Sequence, residues 1–295
     1  MLKKNFKILL FIVLFAGIIL FGYAFFIEPD ELIVRDYNLK VKNWSPKLNN
    51  FKIVAIADIH GGSNFIDEAK IRKIVELTNA QNPDIIVLLG DYVSQRNFSR
   101  SQLKMPLETV AENLKGLKAG YGVYAVLGNH DNEYSGKLVR NALEKDGYRV
   151  LENEAVGIEK GDEKIRLLGI ADVLQNDNLE QNNKAGIAAL DKLDSREGKI
   201  IILTHSPDAV KYVSGNLPVS PDAVLFLAGH THGGQVRLPF IGAPVIPSSY
   251  GQKYAAGFIR EQEIDMFVTT GIGTSILPVR FGVPPEISVL NIEAE

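Results

Sequence analysis

The 295-residue sequence contains no cysteine. The chain therefore forms no disulfide bond and offers no thiolate ligand to a metal, which suits a location outside the cytoplasm without requiring one. The formal net charge at pH 7 is -3, and no Lys- or Arg-rich run follows the apolar N-terminal stretch. Because nucleic-acid-binding proteins cluster basic side chains against phosphates, we predict no nucleic-acid partner.

Linkers, internal repeats and low-complexity tracts are also absent between Asn43 and the C-terminus. The chain after its apolar start, about 265 residues, is longer than the usual ~100–200 residues of a domain but ordinary for one large α/β domain. We therefore predict one domain over residues 32–295 and leave the oligomeric state open.

One long run, residues 8–27, carries no charge. Such a run is long enough to cross the ~30 Å hydrocarbon core of a bilayer as one helix. Lysines precede it at positions 3, 4 and 7, whereas acidic residues follow it at positions 28, 30 and 31. The positive-inside rule then predicts a single-pass protein of the cell membrane, with residues 1–7 in the cytoplasm and the domain outside.

A cleaved signal peptide is the alternative interpretation of this run, with Gly22-Tyr23-Ala24 as the cleavage site. Signal peptides have apolar cores of about 7–15 residues, which is shorter than this run, and the cleavage motif is poor. We favour the uncleaved anchor.

Histidine is scarce, and its placement is informative. Each of the five histidines directly follows an apolar segment that is typical of a buried strand. Four such segments end in blocks that contain histidine: 51–57 in Asp58-Ile59-His60, 123–127 in Gly128-Asn129-His130-Asp131, 199–203 in Thr204-His205, and 223–228 in Gly229-His230-Thr231-His232. A fifth segment, 84–89, ends in Gly90-Asp91.

A lone histidine is usually a satisfied core residue, and Asp or Asn after a strand usually caps a helix or makes a turn. Here all the histidines lie where open α/β sheets bind ligands, just beyond the carboxyl ends of strands. Imidazoles mixed with carboxylates suit Zn, Mn or Fe. The predicted metal ligands are Asp58, His60, Asp91, Asn129, His205, His230 and His232, and His130 is left over.

This set is large enough for two divalent metal ions per chain, with a carboxylate between them to offset their repulsion. Such a site lowers the pKa of a bound water, generates hydroxide as nucleophile and clamps the oxygens of an in-line displacement at phosphorus. A histidine beside the ions can stabilise the phosphoryl oxygens or protonate the leaving alkoxide.

The five ordered blocks resemble the signature of the calcineurin-like metallophosphoesterases. The resemblance covers the chain from about Phe51 onward and implies an α/β fold, a four-layer α-β-β-α sandwich of two mixed sheets, here preceded by one N-terminal transmembrane helix. It implies that one metal is held by Asp58, His60 and His232, and the other by Asn129, His205 and His230. Asp91 would bridge the two ions, and His130 would be the catalytic histidine. Asp131 would orient His130 or cap the next helix.

The membrane span, the Gly-His-Thr-His-Gly-Gly-Gln segment and the following Gly/Pro-rich loop resemble a bacterial branch of the superfamily. That branch contains cell-wall-associated phosphoesterases and UDP-2,3-diacylglucosamine hydrolases of lipid A synthesis. The resemblance implies a membrane-anchored phosphoesterase that hydrolyses a phosphodiester or pyrophosphate bond. A lipid-linked substrate is predicted from two other features: the anchor holds the site near a bilayer, and the loop 233–257 places apolar side chains next to the ligands.

Three other functions are weighed against this one. A UDP-2,3-diacylglucosamine pyrophosphatase would need its substrate on the cytoplasmic side, against the predicted topology. A non-catalytic metal-binding interaction scaffold predicts eroded ligand blocks, and none is eroded. Protein phosphatases are expected to carry the motif Gly-Asp-x-Val-Asp-Arg-Gly. This chain has Gly90-Asp91-Tyr92-Val93-Ser94-Gln95-Arg96 instead, so the second acid and the final glycine of the motif are missing.

Periodicity predicts the remaining elements. Helices are expected over 67–81, 101–117 with an interruption near Pro106, 136–146 and 185–193, and an exposed loop over 172–183. Further strands are expected over 32–41 at a sheet edge, 148–151, 155–159, 165–170, 266–271 and 287–292. The loop 233–257 carries apolar side chains, for which three roles remain open: packing on the domain, lining a substrate groove or touching a membrane.

Overall fold

The computed structural model describes residues 2–96, 99, 101–172, 179–193, 197–211, 220, 222–261 and 264–295. Within these residues, twelve strands form two six-stranded sheets. In chain order the strands are β1 (Ile33–Val41), β2 (Phe51–Ile56), β3 (Ile85–Leu89), β4 (Val123–Val126), β5 (Arg149–Val150), β6 (Glu154–Lys160), β7 (Glu163–Gly169), β8 (Lys199–Leu203), β9 (Ala223–Ala228), β10 (Gly257–Glu261), β11 (Ile264–Val268) and β12 (Glu286–Ala294).

Both sheets are mixed. The first has the order β1-β12-β2-β3-β4-β5, in which only the β12–β2 pair is antiparallel. The second has the order β10-β11-β9-β8-β7-β6, in which parallel β11, β9, β8 and β7 are flanked by an antiparallel strand at each edge. As predicted, β1 lies at a sheet edge.

The described helices are α1 (Leu2–Phe26), α2 (Glu68–Asn79), α3 (Leu107–Leu114), α4 (Asn129–Lys145) and α5 (Leu179–Asp191). Apolar residues of α2, α3 and α4 pack on the outer face of the first sheet, and Leu190 of α5 packs on the outer face of the second. Side chains of the two inner faces meet in a third cluster between the sheets. The four-layer sandwich predicted from the sequence is confirmed.

Strand β2 shows why the sequence folds in layers. Successive side chains of a strand point to opposite faces. Ile53 accordingly joins the cluster between the sheets, whereas Val54 joins the cluster beneath α2 and α3. A strand covered on both faces needs apolar residues at every position, which explains the continuous apolar runs that ended in the candidate ligands.

Two predicted helices have different starts in the structure. The helix expected over 101–117 is shorter, because Pro106 precedes α3 with an extended backbone (φ -55°, ψ 142°) and disfavours helix in the residue before it. Helix α4 begins at Asn129, before the predicted start at Gly136. Ser135 interrupts it with non-helical angles (φ -177°, ψ 96°), so the predicted segment is its second half.

Two further predictions need correction. Strand β10 is not among the predicted strands. It begins at the end of the Gly/Pro-rich loop 233–257, where the sequence gives no strand pattern of its own. Helix α5 begins at Leu179, inside the loop expected over 172–183, because Asn and Gln are tolerated in helices despite their polarity. Residues 173–178 of that expected loop lie outside the described residues.

Helix α1 is long and apolar enough to cross a membrane, a test that a signal sequence near the N-terminus also passes. Its large apolar side chains are exposed along most of its length. Its carboxyl end contacts the domain, and these contacts are described below.

Candidate metal centre

The candidate ligands gather where the two sheets meet at the carboxyl ends of their parallel strands. His205 follows β8 of the second sheet, and its Nδ1 donates to the carbonyl of Leu89 on β3 of the first sheet at 2.8 Å. The backbone N–H of His230, after β9, donates to the Asp58 carboxylate, after β2, at 3.0 Å. These bonds join the strand ends of both sheets into one site.

Left-handed backbone turns point these side chains inward. Asp58, His60, Asp91, His230 and His232 all have positive φ, between 47° and 69°. Non-glycine residues rarely adopt this region, and such strained positions concentrate at functional sites. Five of the seven candidate ligands thus have backbone conformations that the surrounding structure must hold in place.

Two glycines allow the loops to approach one another. A Cβ at Gly90, whose φ is 90°, would lie 2.6 Å from the backbone nitrogen of Gly128. A Cβ at Gly128 would lie 2.2 Å from Oδ1 of Asp91. The glycines of the Gly-Asp and Gly-Asn-His blocks are therefore required by packing around the Asp91 carboxylate.

The first cluster contains Asp58, His60 and His232. The Nε2 atoms of His60 and His232 lie 3.2 Å apart, and His232 Nε2 lies 3.7 Å from Oδ1 of Asp58. His60 Nδ1 is 3.2 Å from the carbonyl oxygen of Val93. Because a carbonyl only accepts, Nδ1 donates, and the Nε2 lone pair faces the cluster.

The second cluster contains Asn129, His205 and His230. Nε2 of His205 lies 3.2 Å from Oδ1 of Asn129 and 3.1 Å from Nδ1 of His230. Since His205 Nδ1 donates to Leu89, its Nε2 is the ring nitrogen that faces the cluster.

Asp91 lies between the two clusters. Its Oδ2 is 3.5 Å from Nε2 of His60 and 3.3 Å from Nε2 of His205. Its Oδ1 accepts the backbone N–H of His130 at 2.9 Å. One carboxylate oxygen therefore faces a histidine of each cluster, and the other is held by the start of α4.

The donor set fits metal ions. The Nε2 atoms of His60 and His232 face one another, an arrangement that requires either a cation or a proton between them. Two nitrogens that bind one ion at about 2.0–2.1 Å lie roughly 2.9–3.4 Å apart for angles between ~90° and ~109°, and the observed separation is 3.2 Å. The described residues offer three candidate groups: Asp58, His60 and His232; His60, Asp91 and His130; and Asp91, His205 and His230.

The protonation equilibria of the buried groups also favour a cation. Burial lowers the pKa of His60 and of His230 to about 3 and lowers that of His232 well below its usual value, so these rings are neutral. Burial raises the pKa of Asp58 to about 7. Burial opposes protonation of His205, but the charge of Asp91, a hydrogen bond to it and the charges of Asp58 and Asp172 together raise the pKa of His205 well above its usual value. Perturbations of this kind concentrate at functional sites.

Asp131 stabilises the loop of residues 90–93 that follows β3, which we call the Asp91 loop. Its fully buried carboxylate accepts the backbone N–H groups of Asp91 at 2.7 Å, Tyr92 at 2.9 Å and Gly128 at 2.9 Å. Burial, and then the charge of Asp91, raise its pKa to about 7, against the opposing effect of the Gly128 and Val93 N–H groups and of His205. Of the two roles expected for Asp131, the structure shows helix capping, since Gly128 precedes the first residue of α4.

His130 stands beside both clusters and is half-buried. Its ring makes an edge contact with that of His60, with centroids 4.9 Å apart. Its Nδ1 bonds to Oε1 of Gln95, and Gln95 Nε2 donates to the His130 carbonyl at 2.7 Å. Because the amide nitrogen is committed to that carbonyl, Oε1 accepts from Nδ1–H, and Nε2 is left facing Ser275 Oγ at 3.4 Å.

Sequence reasoning missed two residues of this region, Gln95 and Arg280. Arg280 is fully buried, and its guanidinium donates to the carbonyls of Gly273 and Thr270 at 2.7 and 3.1 Å. It also lies 3.4 Å from Nδ1 of His232. Burial lowers its pKa to about 10. Neither residue stands at a strand end, so no local pattern marked them.

Residues 51–234 match the family model for calcineurin-like phosphoesterases. The chain belongs to this family and is a metal-dependent phosphoester hydrolase. The resemblance seen in the five motif blocks is confirmed at the level of the superfamily.

Three relatives align over most of the chain. It is 30% identical to the uncharacterized metallophosphoesterase YkuE of Bacillus subtilis, covering 93% of this chain and 90% of the relative. It is 32% identical to the phosphodiesterase YaeI of Escherichia coli, covering 92% of each. It is 28% identical to a transmembrane protein with metallophosphoesterase domain of Danio rerio, covering 94% of this chain and 60% of the relative.

Proposed function

We propose that the chain is a membrane-anchored phosphoesterase with two metal ions, which hydrolyses a phosphodiester or pyrophosphate bond in a lipid-linked substrate. One observation carries the two-metal part, the position of Asp91 Oδ2 between His60 and His205 at 3.5 and 3.3 Å. The proposal retains the Asp58, His60 and His232 set for one ion and the Asn129, His205 and His230 set for the other, with Mn, Zn or Fe as the native metal.

Each part of the site has a task in this proposal. When bound, the ions would supply a nucleophile from water at neutral pH and neutralise charge on the phosphoryl oxygens. The Asp91 loop, braced by Asp131, holds the two clusters at a fixed separation. In the form of His130 that carries a proton on both ring nitrogens, Nε2 donates its proton to the departing oxygen, and Gln95 holds the Nδ1–H of that ring.

Replacement of Gln95 tests this arrangement. We expect Gln95→Ala to lower kcat by about 10–100-fold, the range for a lost group that orients a functional side chain, and to leave KM nearly unchanged. The loss should be larger for an alkyl diester than for a nitrophenyl diester, because a good leaving group needs less protonation. Gln102→Ala, an exposed glutamine nearby, is the control. Equal kcat in Gln95→Ala and wild type would contradict the role.

In the anchor part of the proposal, residues 8–27 span the membrane, all but the last of them in α1, with residues 1–7 in the cytoplasm and the domain of residues 32–295 outside. Its support is the exposed apolar surface of α1 and the relative in Danio rerio that is named as a transmembrane protein. A reporter fused after Glu295 should be active only outside the cytoplasm, and the full-length chain should sediment with membranes. Cytoplasmic activity of the reporter would reverse the topology and favour the UDP-2,3-diacylglucosamine pyrophosphatase.

The phosphodiester part draws support from the relative named as a phosphodiesterase in Escherichia coli. Full-length protein should be assayed in detergent with Mn, Zn, Fe, Co and Mg in turn, on chromogenic mono- and diesters, nucleoside diphosphate sugars and phospholipids. We expect turnover of diesters or pyrophosphates to exceed that of monoesters and to require added metal. A preference for monoesters, or no turnover of lipid-bearing substrates, would contradict the proposed substrate class.

A further inference from the structure

The carboxyl end of α1 is attached to one loop of the domain, residues 275–283, which we call the anchor loop. The backbone N–H of Arg280 donates to the carbonyl of Ala24 at 2.9 Å. The carboxylate of Glu28, which is 2% exposed, accepts the backbone N–H groups of Gly282 and Val283. The end of the helix therefore does not hang on a free linker but is hydrogen-bonded to this loop.

Asn64 adds a second attachment. Its Nδ2 donates to the carbonyl of Phe25 at 2.9 Å and to that of Pro278, in the anchor loop, at 2.8 Å. The rings of Tyr23 and Phe281 also meet edge to face, with centroids 6.3 Å apart. Contacts from both sides thus fix the end of α1 against the anchor loop.

The other side of the anchor loop reaches the candidate metal centre. Ser275 Oγ lies 3.4 Å from Nε2 of His130, and the Arg280 guanidinium lies 3.4 Å from Nδ1 of His232. One short segment therefore contacts both the end of α1 and two histidines of the site. The anchor loop therefore holds the end of α1 at a fixed distance from these two histidines.

Two apolar side chains of the anchor loop directly follow Ser275 and are exposed. Ile276 is 84% exposed and Leu277 is 59% exposed. Ile276 has φ of 61°, an unfavourable conformation for a β-branched residue. Gln235 holds it: its Oε1 accepts from Ser275 N at 2.6 Å, and its Nε2 donates to the carbonyls of Ser275 and Leu277. The loop is thus held in a strained turn with its apolar residues outward.

A second turn lies next to the anchor loop. Phe240 and Ile241, which are 109% and 68% exposed, form the tip of a turn closed by Leu238 and Gly242. Phe240 and Gly282 of the anchor loop line the same depression. Within the loop 233–257, Ala243 and Tyr254 are buried, so the loop packs on the domain through these residues while its tip stays exposed.

We infer that Ile276, Leu277, Phe240 and Ile241 form a membrane-contact surface that enters the lipid interface beside α1 and holds the candidate metal centre close to the bilayer surface. This inference rests on the proposed role of α1 as an anchor. A helix that leaves the bilayer at Phe26 brings the hydrogen-bonded anchor loop to the headgroup level, and apolar side chains on a surface at that level are stabilised by immersion. The substrate is then a phosphate ester whose phosphorus lies among the headgroups of that bilayer.

The absence of cysteine allows a direct test with single spin labels. Full-length variants Ile12→Cys, Leu138→Cys, Phe240→Cys and Ile276→Cys are labelled with a nitroxide and reconstituted in phosphatidylcholine–phosphatidylglycerol vesicles. Collision with oxygen, which concentrates in lipid, is compared with collision with a water-soluble nickel chelate. Circular dichroism and thermal unfolding establish that each variant is folded. Leu138 lies on α4, is 50% exposed and serves as the control in water.

We expect the label at residue 12 to collide mainly with oxygen and the label at residue 138 mainly with nickel. Labels at residues 240 and 276 should shift clearly toward oxygen relative to residue 138. Nickel accessibility at 240 and 276 equal to that at 138, with residue 12 in lipid, overturns the membrane-contact surface and leaves the anchor intact. A label at residue 12 that is open to nickel shows that the anchor itself is wrong, and the inference falls with it.

Discussion

Asp91→Asn is expected to lower turnover more than any other single replacement among the proposed ligands, by more than about 10²–10³-fold, the range for losing one preorganised electrostatic group. The substituted side chain would keep the acceptor for the His130 N–H but lose the charge of the oxygen that faces both His60 and His205. Because one carboxylate serves both clusters, its loss weakens the binding of two ions at once. Elemental analysis of the purified variant, alongside turnover, measures this effect.

Two controls accompany the Asp91 variant. Asp58→Asn removes a carboxylate from one cluster only, so its loss of activity should be smaller. Asp162→Asn makes the same chemical change in the exposed turn between β6 and β7 and should leave metal content and turnover as in wild type. Two metals per chain in Asp91→Asn, at wild-type turnover, would remove the bridging role.

His130→Asn should keep both metals and slow turnover by about 10²–10⁴-fold, the usual effect of losing a general acid. The expectation follows from the ring, which is held by Gln95 and presents Nε2 to Ser275 rather than to the carboxylate of Asp91. His205→Asn is the comparison, since it removes a proposed ligand and should lose metal.

The alternative for His130 is a role as a ligand, because it also forms a candidate group with His60 and Asp91. Metal content separates the two roles. A His130→Asn variant that retains one metal instead of two would make His130 a ligand and would leave the proton transfer unassigned.

The positions of the candidate ligands along the chain could be predicted because they follow from two general rules. Buried strands need apolar side chains on both faces, and parallel strands of one sheet end at a shared edge. His205 and His230, which are separated in sequence from Asp58 and Asp91, therefore meet them at the ends of β8 and β9. The distances between them depend on left-handed turns, which the sequence does not mark at non-glycine residues.

Gln95 and Arg280 could not be found from local patterns, because the histidines they contact are distant in sequence. Gln95 holds the ring of residue 130, and the guanidinium of Arg280 lies 3.4 Å from Nδ1 of His232. The sequence contained one signal for Gln95, the missing second acid of the Gly-Asp-x-Val-Asp pattern next to it. Because that acid is absent here, the side chain next to it, Gln95, could have been considered as a partner for His130.

The start of α4 shows a similar limit. The prediction begins this helix at Gly136, with Leu138, Val139, Ala142 and Leu143 on its apolar side, and in the structure Ser135 leaves helical geometry just before that point. The preceding turn from Asn129 is stabilised by Asp131 and by the Asp91 loop, contacts from another part of the chain. Tertiary hydrogen bonds, rather than propensity, thus decide where this helix begins.

The central claim is that two metal ions in the site at the strand ends carry out phosphoester hydrolysis. The most direct test is to strip metal from the full-length protein with a chelator, titrate Mn or Zn back, and measure bound metal and diester turnover on the same samples. The account predicts turnover that is absent without metal and reaches its maximum at two bound ions per chain. Full turnover in the stripped protein, or a maximum reached at one bound ion, would contradict it.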